Sequence, residues 1–439
     1  MLRDLIRIAS VNPPGRPELA AGHDTSGGET AVARYCAEVL TAAGIEATVI
    51  ETAPGRGSCF GRLPATAPDP LPPLVLLSHV DVVPVEAEHW SRDPFGGELV
   101  DGEIWGRGAV DMKDMVAMEL AVMLALRRER AELRRDVIFA ALADEEAGGA
   151  FGALHFVAAR PDLFASEAGT AAAALNEVGG YTMTIRGRRY YAIQVAEKGI
   201  AWTRFRAAGT PGHGSMPAAD NAAVRIAAAV ARMAGAPRPV RIVPVVAEFL
   251  RRTGLEEAAT DAGALDRLVD DPVTRRSIDA MLRDTVSPNV LRAGTKMNVL
   301  PSFGEAEVDV RTLPGTDQQR LIEELSAAAG PGIAVEAVTV MPPVESPADA
   351  PIVELMQRAL VAADPDGTPV PMMITPGTDA KALVRLGIPT YGFAPLRLDA
   401  DVPFLSLFHG HDERVPASAV AFGLPVLYEV VSGYATATA

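Results

Sequence analysis

At 439 residues, with 49% hydrophobic and 22% charged side chains, the chain has the composition of a folded globular protein and the length of two or three domains. Its formal charge of −16, with no block of lysine or arginine, argues against a nucleic-acid partner. No apolar run reaches the roughly 20 residues needed to span a bilayer, so no membrane partner is expected.

Residues 1–12 alternate charged with apolar side chains, lack a signal peptide's apolar centre and read as an opening helix. Residues 29–43 are helical in pattern and carry Cys36, while Cys59 lies near a strand. These two cysteines form no C-x-x-C unit and are expected as free, buried thiols, which suits a reducing, cytoplasmic setting. Residues 73–79 are a short apolar run predicting a buried strand. Residues 111–130 predict a helix with Arg127 to Arg130 at its C-terminal end, where the dipole favours cations. Residues 136–143 predict a second buried strand. Strands alternating with helices over the first ~190 residues indicate an α/β sandwich with a mainly parallel sheet.

Near Val195 the character changes. Residues 199–207 predict a strand, 210–217 a loop, and Asp220 or Asn221 the cap of a helix ending near Met233. A charged run, 242–291, reads as a helical insertion. Strand 305–313, helix 317–329 and strand 333–340 complete a compact α+β unit with a one-sided sheet. The α/β style returns with helix 352–363, strand 386–393 and a closing helix from about Ser418. The expected organisation is an α/β/α catalytic domain, residues 1–194 and 344–439, interrupted by an inserted α+β, ferredoxin-like domain, residues 195–343.

Chemistry-bearing residues gather where strands end. His79 and Asp81 are two apart, which places both on one face of an extended segment. A carboxylate can hold the second nitrogen of a metal-ligating imidazole, although a strand-end capping pair would look the same. Asp111 opens a helix and is read either as its N-cap or as a carboxylate shared by two cations. Asp144, Glu145 and Glu146 close a buried strand, where α/β sheets build their sites; on a solvated loop they would need no explanation. Glu177 follows another small apolar run. His409 and His411 precede Asp412 and Glu413. Two imidazoles with several carboxylates are the inventory of a dinuclear zinc site. No G-x-S-x-G, P-loop or G-x-G-x-x-G motif is present.

In this order, Ser78-His79-Val-Asp81, Gly106-Arg-Gly-Ala-Val-Asp111-Met-Lys113, Asp144-Glu145-Glu146, Gly212-His213-Gly-Ser215, Asn298-Val-Leu-Pro301, Pro376-Gly377-Thr378-Asp379 and His409-x-x-Asp412-Glu413 span nearly the whole chain. With them the chain resembles the metallopeptidase family of aminoacylase, acetylornithine deacetylase, succinyl-diaminopimelate desuccinylase and carboxypeptidase G. The resemblance implies hydrolysis of the amide bond of an N-acyl amino acid or small peptide by a metal-activated water. A dipeptidase or carboxypeptidase using the same metals is the alternative. Two zinc ions per chain are implied, with cobalt or manganese as substitutes. Asp111 would bridge them, His79 and Glu177 completing one site, Glu146 and His409 the other. The family motif selects His409 over His411.

Asp81 would hold His79, and Glu145 would be the general base. A cis peptide bond is implied at Asp111–Met112. The inserted domain would be a lid and dimerisation module of a homodimer, with His213 serving the partner's active site. Asn298, Arg311, Gly377 and Thr378 would hold the substrate. Lys381 stands where some relatives carry arginine, and lysine lacks the forked contact of a guanidinium. The run 242–291 resembles the enlarged lid of relatives that act on long-chain acyl amino acids. His23, His89 and His155 are read as surface or packing residues, Trp90 and Trp105 as core anchors. A catalytically silent metal-binding protein is a second class, disfavoured because Glu145 is in place.

Overall fold

The computed structural model describes residues 1–261 and 263–437. Strand Leu71–His79 shows how the sequence builds the larger layer. Leu74 and Leu76 enter one apolar cluster, Val75 and Leu77 another on the opposite face. Strand Arg135–Leu142 repeats this, with Val137, Phe139 and Ala141 opposed to Ile138, Ala140 and Leu142. Side chains alternate faces, so a strand apolar at every position is one covered on both sides.

These strands form the centre of a ten-stranded mixed sheet. Arg135–Leu142, Leu71–His79, Ala173–Asn176 and Thr390–Gly392 lie side by side and parallel. Antiparallel strands Gly57–Leu63 and Glu46–Glu51 extend one edge, Arg188–Glu197 and Thr182–Ile185 the other. Helices Gly28–Ala42, Lys113–Glu129, Pro351–Ala363 and Ala417–Thr436 cover one face. Ala153–Ala159 and Ala380–Leu383 cover the other, giving the α/β/α sandwich.

The second sheet has the order Thr285–Ala293, Phe303–Thr312, Gly199–Ala208, Ile333–Met341, and every pairing is antiparallel. Helices Ala222–Gly235 and Gln318–Ala329 pack on one face around Phe205, Ile226, Val308 and Leu325. This βαββαβ arrangement is the ferredoxin-like topology. Its open face carries Arg204 and Arg206 paired with Glu305, Glu307 and Glu336.

Several elements depart from the sequence reading. The opening helix is only Leu2–Ile6. The long helix begins at Lys113 with Met112 as its cap, so Asp111 is not an N-cap. Asn221, not Asp220, caps the helix after the lid loop, its side chain accepting from the Ala223 N–H at 2.9 Å. The run 242–291 is helical only through Pro272–Met281; Thr285–Ala293 is an edge strand containing Pro288, a residue that helix interiors exclude and edges tolerate. The helical part packs on the larger sheet, with Val246, Phe249, Leu250, Ile278 and Met281 joining its core. Strand Thr368–Ile374, with two prolines, carried no strand signal and pairs parallel with Arg188–Glu197. The strand expected at 386–393 is reduced to Thr390–Gly392 by a turn at Gly387, φ 72°.

The closing helix Ala417–Thr436 is long and apolar enough to cross a bilayer, with mean hydropathy 1.3. Its apolarity has a local cause: Val426, Leu427, Val430 and Val431 are buried in the core beneath Lys113–Glu129 and Pro351–Ala363. Cys36 and Cys59 are free and buried. Trp90 and Trp105 are half-buried; Trp90 packs beneath Arg107 against the apolar cluster of Val11, Val82 and Phe95, whereas Trp105 lies between Arg92 and Arg414.

Candidate metal centre

The parallel strands deliver their C-terminal ends to one place. His79 ends Leu71–His79, Glu145 and Glu146 follow Arg135–Leu142, and Glu177 follows Ala173–Asn176. Asp111 arrives from the loop before Lys113–Glu129 through a cis peptide bond to Met112. His409 comes from a loop at positive φ, 58°.

Asp111 stands between two imidazoles. Its Oδ1 is 3.1 Å from His79 Nε2 and its Oδ2 is 3.2 Å from His409 Nε2. Glu177 Oε2 lies 3.6 Å from the His79 nitrogen, and Glu146 Oε2 lies 3.1 Å from that of His409. Each imidazole is therefore flanked by its own glutamate and by one oxygen of the shared aspartate. Donor atoms of His79, Glu145 and Glu177 also lie within 4.8 Å of one another, as do those of His79, Asp111 and Glu146.

Around this centre the polar groups are tightly committed. His79 Nδ1 lies 3.1 Å from the Asp81 carbonyl oxygen and 3.4 Å from its Oδ1. A carbonyl only accepts, so Nδ1 keeps its proton and Nε2 is turned to Asp111 and Glu177. Asp81 accepts from Asn12 Nδ2 at 2.7 Å and from the Glu145 and Glu146 N–H groups at 3.2 and 3.1 Å. Burial pushes its carboxyl up, but these donors and His79 prevail and hold it below the ordinary range. Glu413 accepts from Gly108 N, Val110 N, Asp111 N and Arg107 Nη1 at 2.7–3.2 Å, which fixes the loop carrying Asp111.

The two imidazoles likewise hold Asp111 low against its burial, whereas four other carboxyls of the centre are pushed up. Burial first, then repulsion from Glu177, lifts Glu145 well above its usual value. Burial lifts Glu177 to about 7 despite the neighbouring His79. Glu146 and Asp379 are raised for the same reasons, and Glu146 Oε1 and Asp379 Oδ2 are buried without a hydrogen-bond partner. Asp111 and Glu146 hold His409 protonated up to about 10. Crowded, under-satisfied oxygens facing two imidazoles are electrostatically incomplete, and a divalent cation of zinc type completes them. The residues present fit such a group.

The centre floors a cavity of about 910 Å³, at the upper end of small-molecule sites. Arg311, Gly377 and Thr378 line it. The Thr378 hydroxyl is already engaged, donating to Glu197 and accepting from Asn176 Nδ2 at 2.8 Å. Arg311 forks onto Asp309 at 2.7 and 3.2 Å. Lys381 is buried, with Nζ 2.7 Å from the Lys198 carbonyl oxygen and 3.3 Å from Glu197. His213 and Asn298 do not line the cavity. They sit at an exposed two-strand ribbon of the inserted unit, Gly212–His213 against Val299–Leu300. His411 pairs with Glu86 at 3.0 Å on the surface. His23 is half-buried, and His89 and His155 are exposed.

The sequence reading left three contributors without a role. Asn12 and Glu413 act through hydrogen bonds to residues 69 and ~300 positions away, and no local pattern announces such partners. Asp379 was visible inside the Gly377-Thr378-Asp379 motif, yet its place beside Glu145 is a tertiary fact.

An α/β/α sandwich with a ferredoxin-like insertion, and carboxylates and imidazoles collected at its strand ends, defines a metal-dependent hydrolase. The family model described as Peptidase family M20/M25/M40 matches residues 75–433, and the chain belongs to that family. It is accordingly a hydrolase of amide or peptide bonds. Human aminoacylase-1 is 28% identical, the alignment covering 100% of this chain and 95% of that protein. An M20 family metallo-carboxypeptidase, Sso-CP2 from Sulfolobus solfataricus, superposes with a TM-score of 0.75 at 17% identity, covering 99% of this chain and 98% of that one. Human carnosine dipeptidase 1 gives 0.73 at 15% identity, covering 99% and 95%. The two structures establish likeness of fold.

Proposed function

We propose that this chain is a cytoplasmic, dizinc N-acyl amino acid amidohydrolase that works as a homodimer. The observation that carries the reading is Asp111, with one carboxylate oxygen facing each imidazole, and half-buried Glu145 close to His79 and Glu177. The similarity to aminoacylase-1 over the whole chain supports the acyl amino acid, and two buried free thiols suit a reducing compartment.

His79, Asp111 and Glu177 would hold one cation, and Asp111, Glu146 and His409 the other. When bound, the pair would supply Lewis acidity. Glu145 takes a proton from the attacking water and delivers it to the departing amine nitrogen as the C–O bond forms and the C–N bond breaks. Its elevated affinity for a proton suits a group that must both accept and return one near neutrality. Asp81 keeps His79 oriented. Gly377 and Thr378 border the bound substrate.

His213 completes the site from a second copy of the chain. The Ser215 N–H donates to His213 Nδ1 at 3.2 Å. With the Ser215 hydroxyl also 2.7 Å away, Nδ1 acts as the acceptor, which leaves Nε2–H as a donor for the oxyanion. Around the ribbon that carries it, Met297 is 102% and Phe303 61% exposed, and Met216 and Val299 are also open. Such apolar exposure beside a polar donor suits a subunit contact that brings Asn298 along with His213.

The reading is tested on zinc-reconstituted protein by elemental analysis and by turnover of N-acyl amino acids against dipeptides. About two metals per chain and preferred cleavage of acyl amino acids are expected. One metal or none sinks the dinuclear site; cleavage of dipeptides alone establishes the peptidase alternative.

A further inference from the structure

Glu145 follows Asp144, and Asp144 stands in the left-handed region at φ 72°. A residue with a side chain keeps that conformation where its surroundings hold it. Every polar group of Asp144 is engaged. Its carbonyl oxygen accepts from the Ala147 and Gly149 N–H groups at 3.3 and 2.6 Å, closing the turn that carries Glu145 and Glu146. Its Oδ2 accepts from the Phe151 N–H at 2.9 Å, and its Oδ1 from Asn12 Nδ2 at 3.3 Å.

Two residues from distant parts of the chain close the grip. Glu29, on helix Gly28–Ala42, accepts the Asp144 N–H at 3.2 Å with Oε1. Arg56, just before strand Gly57–Leu63, places Nη1 2.6 Å from that same oxygen and 3.1 Å from Asp144 Oδ1. All three side chains are buried. Arg56 is itself held, with its guanidinium carbon 5.6 Å from the centre of the Phe151 ring. Glu29 is close enough to Asp81 and Asp144 for both to repel it, and Arg56 is the cation that pairs with two of the three carboxylates. Buried carboxylates stripped of their cation repel one another with little screening. Relief comes through the turn that follows Asp144, which moves Glu145. Neither Glu29, Arg56 nor Asp144 lines the cavity, so none of them can act by touching substrate.

We propose that Arg56 is a positioning residue for the general base: together with Glu29 it fixes Asp144 and, through Asp144, the place of Glu145. The consequence for turnover rests on Glu145 being the base; the grip on Asp144 does not.

The test uses zinc-saturated full-length protein and N-acetyl-leucine or alanyl-leucine, whichever wild type cleaves faster. Arg56→Gln is expected to lower kcat about 10- to 100-fold and to leave KM within about threefold, because a small misplacement of the base costs rate and not binding. Zinc content stays at the wild-type level. Arg56→Lys restores the charge and recovers part of kcat. In the Glu145→Gln background, Arg56→Gln lowers kcat by less than about threefold further, because both changes act through one group. Asp144→Asn, nearly isosteric, gives the same split between kcat and KM from the other partner and serves if Arg56→Gln does not fold by circular dichroism. Losses that multiply in the double variant, or a loss carried by KM or by zinc content, overturn the inference. Glu145→Gln within tenfold of wild type sinks the base reading of the site. Glu145→Gln inactive, with Arg56→Gln and Asp144→Asn at wild-type kcat, sinks this inference alone.

Discussion

His79 and His213 are the same side chain held in opposite hydrogen-bonding settings by two regions of the molecule. At the floor of the cavity His79 gives its Nδ1 proton to a carbonyl, is fully buried, and turns Nε2 toward carboxylates. On the lid His213 receives the Ser215 N–H at Nδ1, is exposed, and keeps its proton on Nε2. A backbone acceptor makes a ligand; a backbone donor makes a hydrogen-bond donor. The regions differ equally in completeness. Asp81, Asn12 and Glu413 fix the floor through many short contacts within one chain. The ribbon presents His213 outward, among exposed apolar residues. On the proposed reading the floor is a finished half-site and the lid is half of someone else's.

The sharpest way to probe the floor is Glu145→Gln, which is nearly isosteric and cannot take a proton. Activity should fall by about 10²–10⁴-fold with metal content unchanged. Metal analysis alongside kcat checks this, and activity within tenfold of wild type would show that Glu145 is not the base.

The lid comes next. His213→Ala should lower kcat by roughly 10²–10³-fold without touching the metals. Mixing it with Glu145→Gln should then restore activity, because a mixed dimer holds one site with both groups intact. No recovery after demonstrated subunit exchange would place His213 in its own chain's site or in none, and the contrast between a finished and a borrowed half would collapse.

The smallest effect concerns the buttress rather than the ligands. Asn12→Ala removes the donor shared by Asp81 and Asp144, at 2.7 and 3.3 Å, and leaves all five proposed ligands in place. Metal affinity should weaken by about 10- to 100-fold, read by competition with a chelator, with the fold retained by circular dichroism. Unchanged affinity would mean that the backbone N–H groups of Glu145 and Glu146 suffice to hold Asp81.

Much of this protein is written locally. Runs such as Leu74-Val75-Leu76-Leu77 specify strands covered on both faces, because period-two alternation leaves no polar side. The motif residues at strand ends were legible for a related reason: an α/β sheet concentrates polar side chains where its buried strands stop. Other elements were not. Thr368–Ile374 holds two prolines and reads as loop, and it becomes a strand only because Arg188–Glu197 offers it a partner. The run 242–291 reads as one helical insertion, but Pro288 and the free edge beside Phe303–Thr312 turn its end into strand.

The sequence by itself determined the layer architecture, because periodicity acts over a few positions, and it carried the hydrolase family and the candidate ligands in motifs spread along the chain. Tertiary structure alone decided how those groups share the work. Only the fold puts Asp111 between His79 and His409, ties Asn12 to Asp81, and occupies Arg311 and Lys381 with internal carboxylates. Pairing depends on which distant side chains arrive within about 3 Å, and that distance is set by packing rather than by order along the chain.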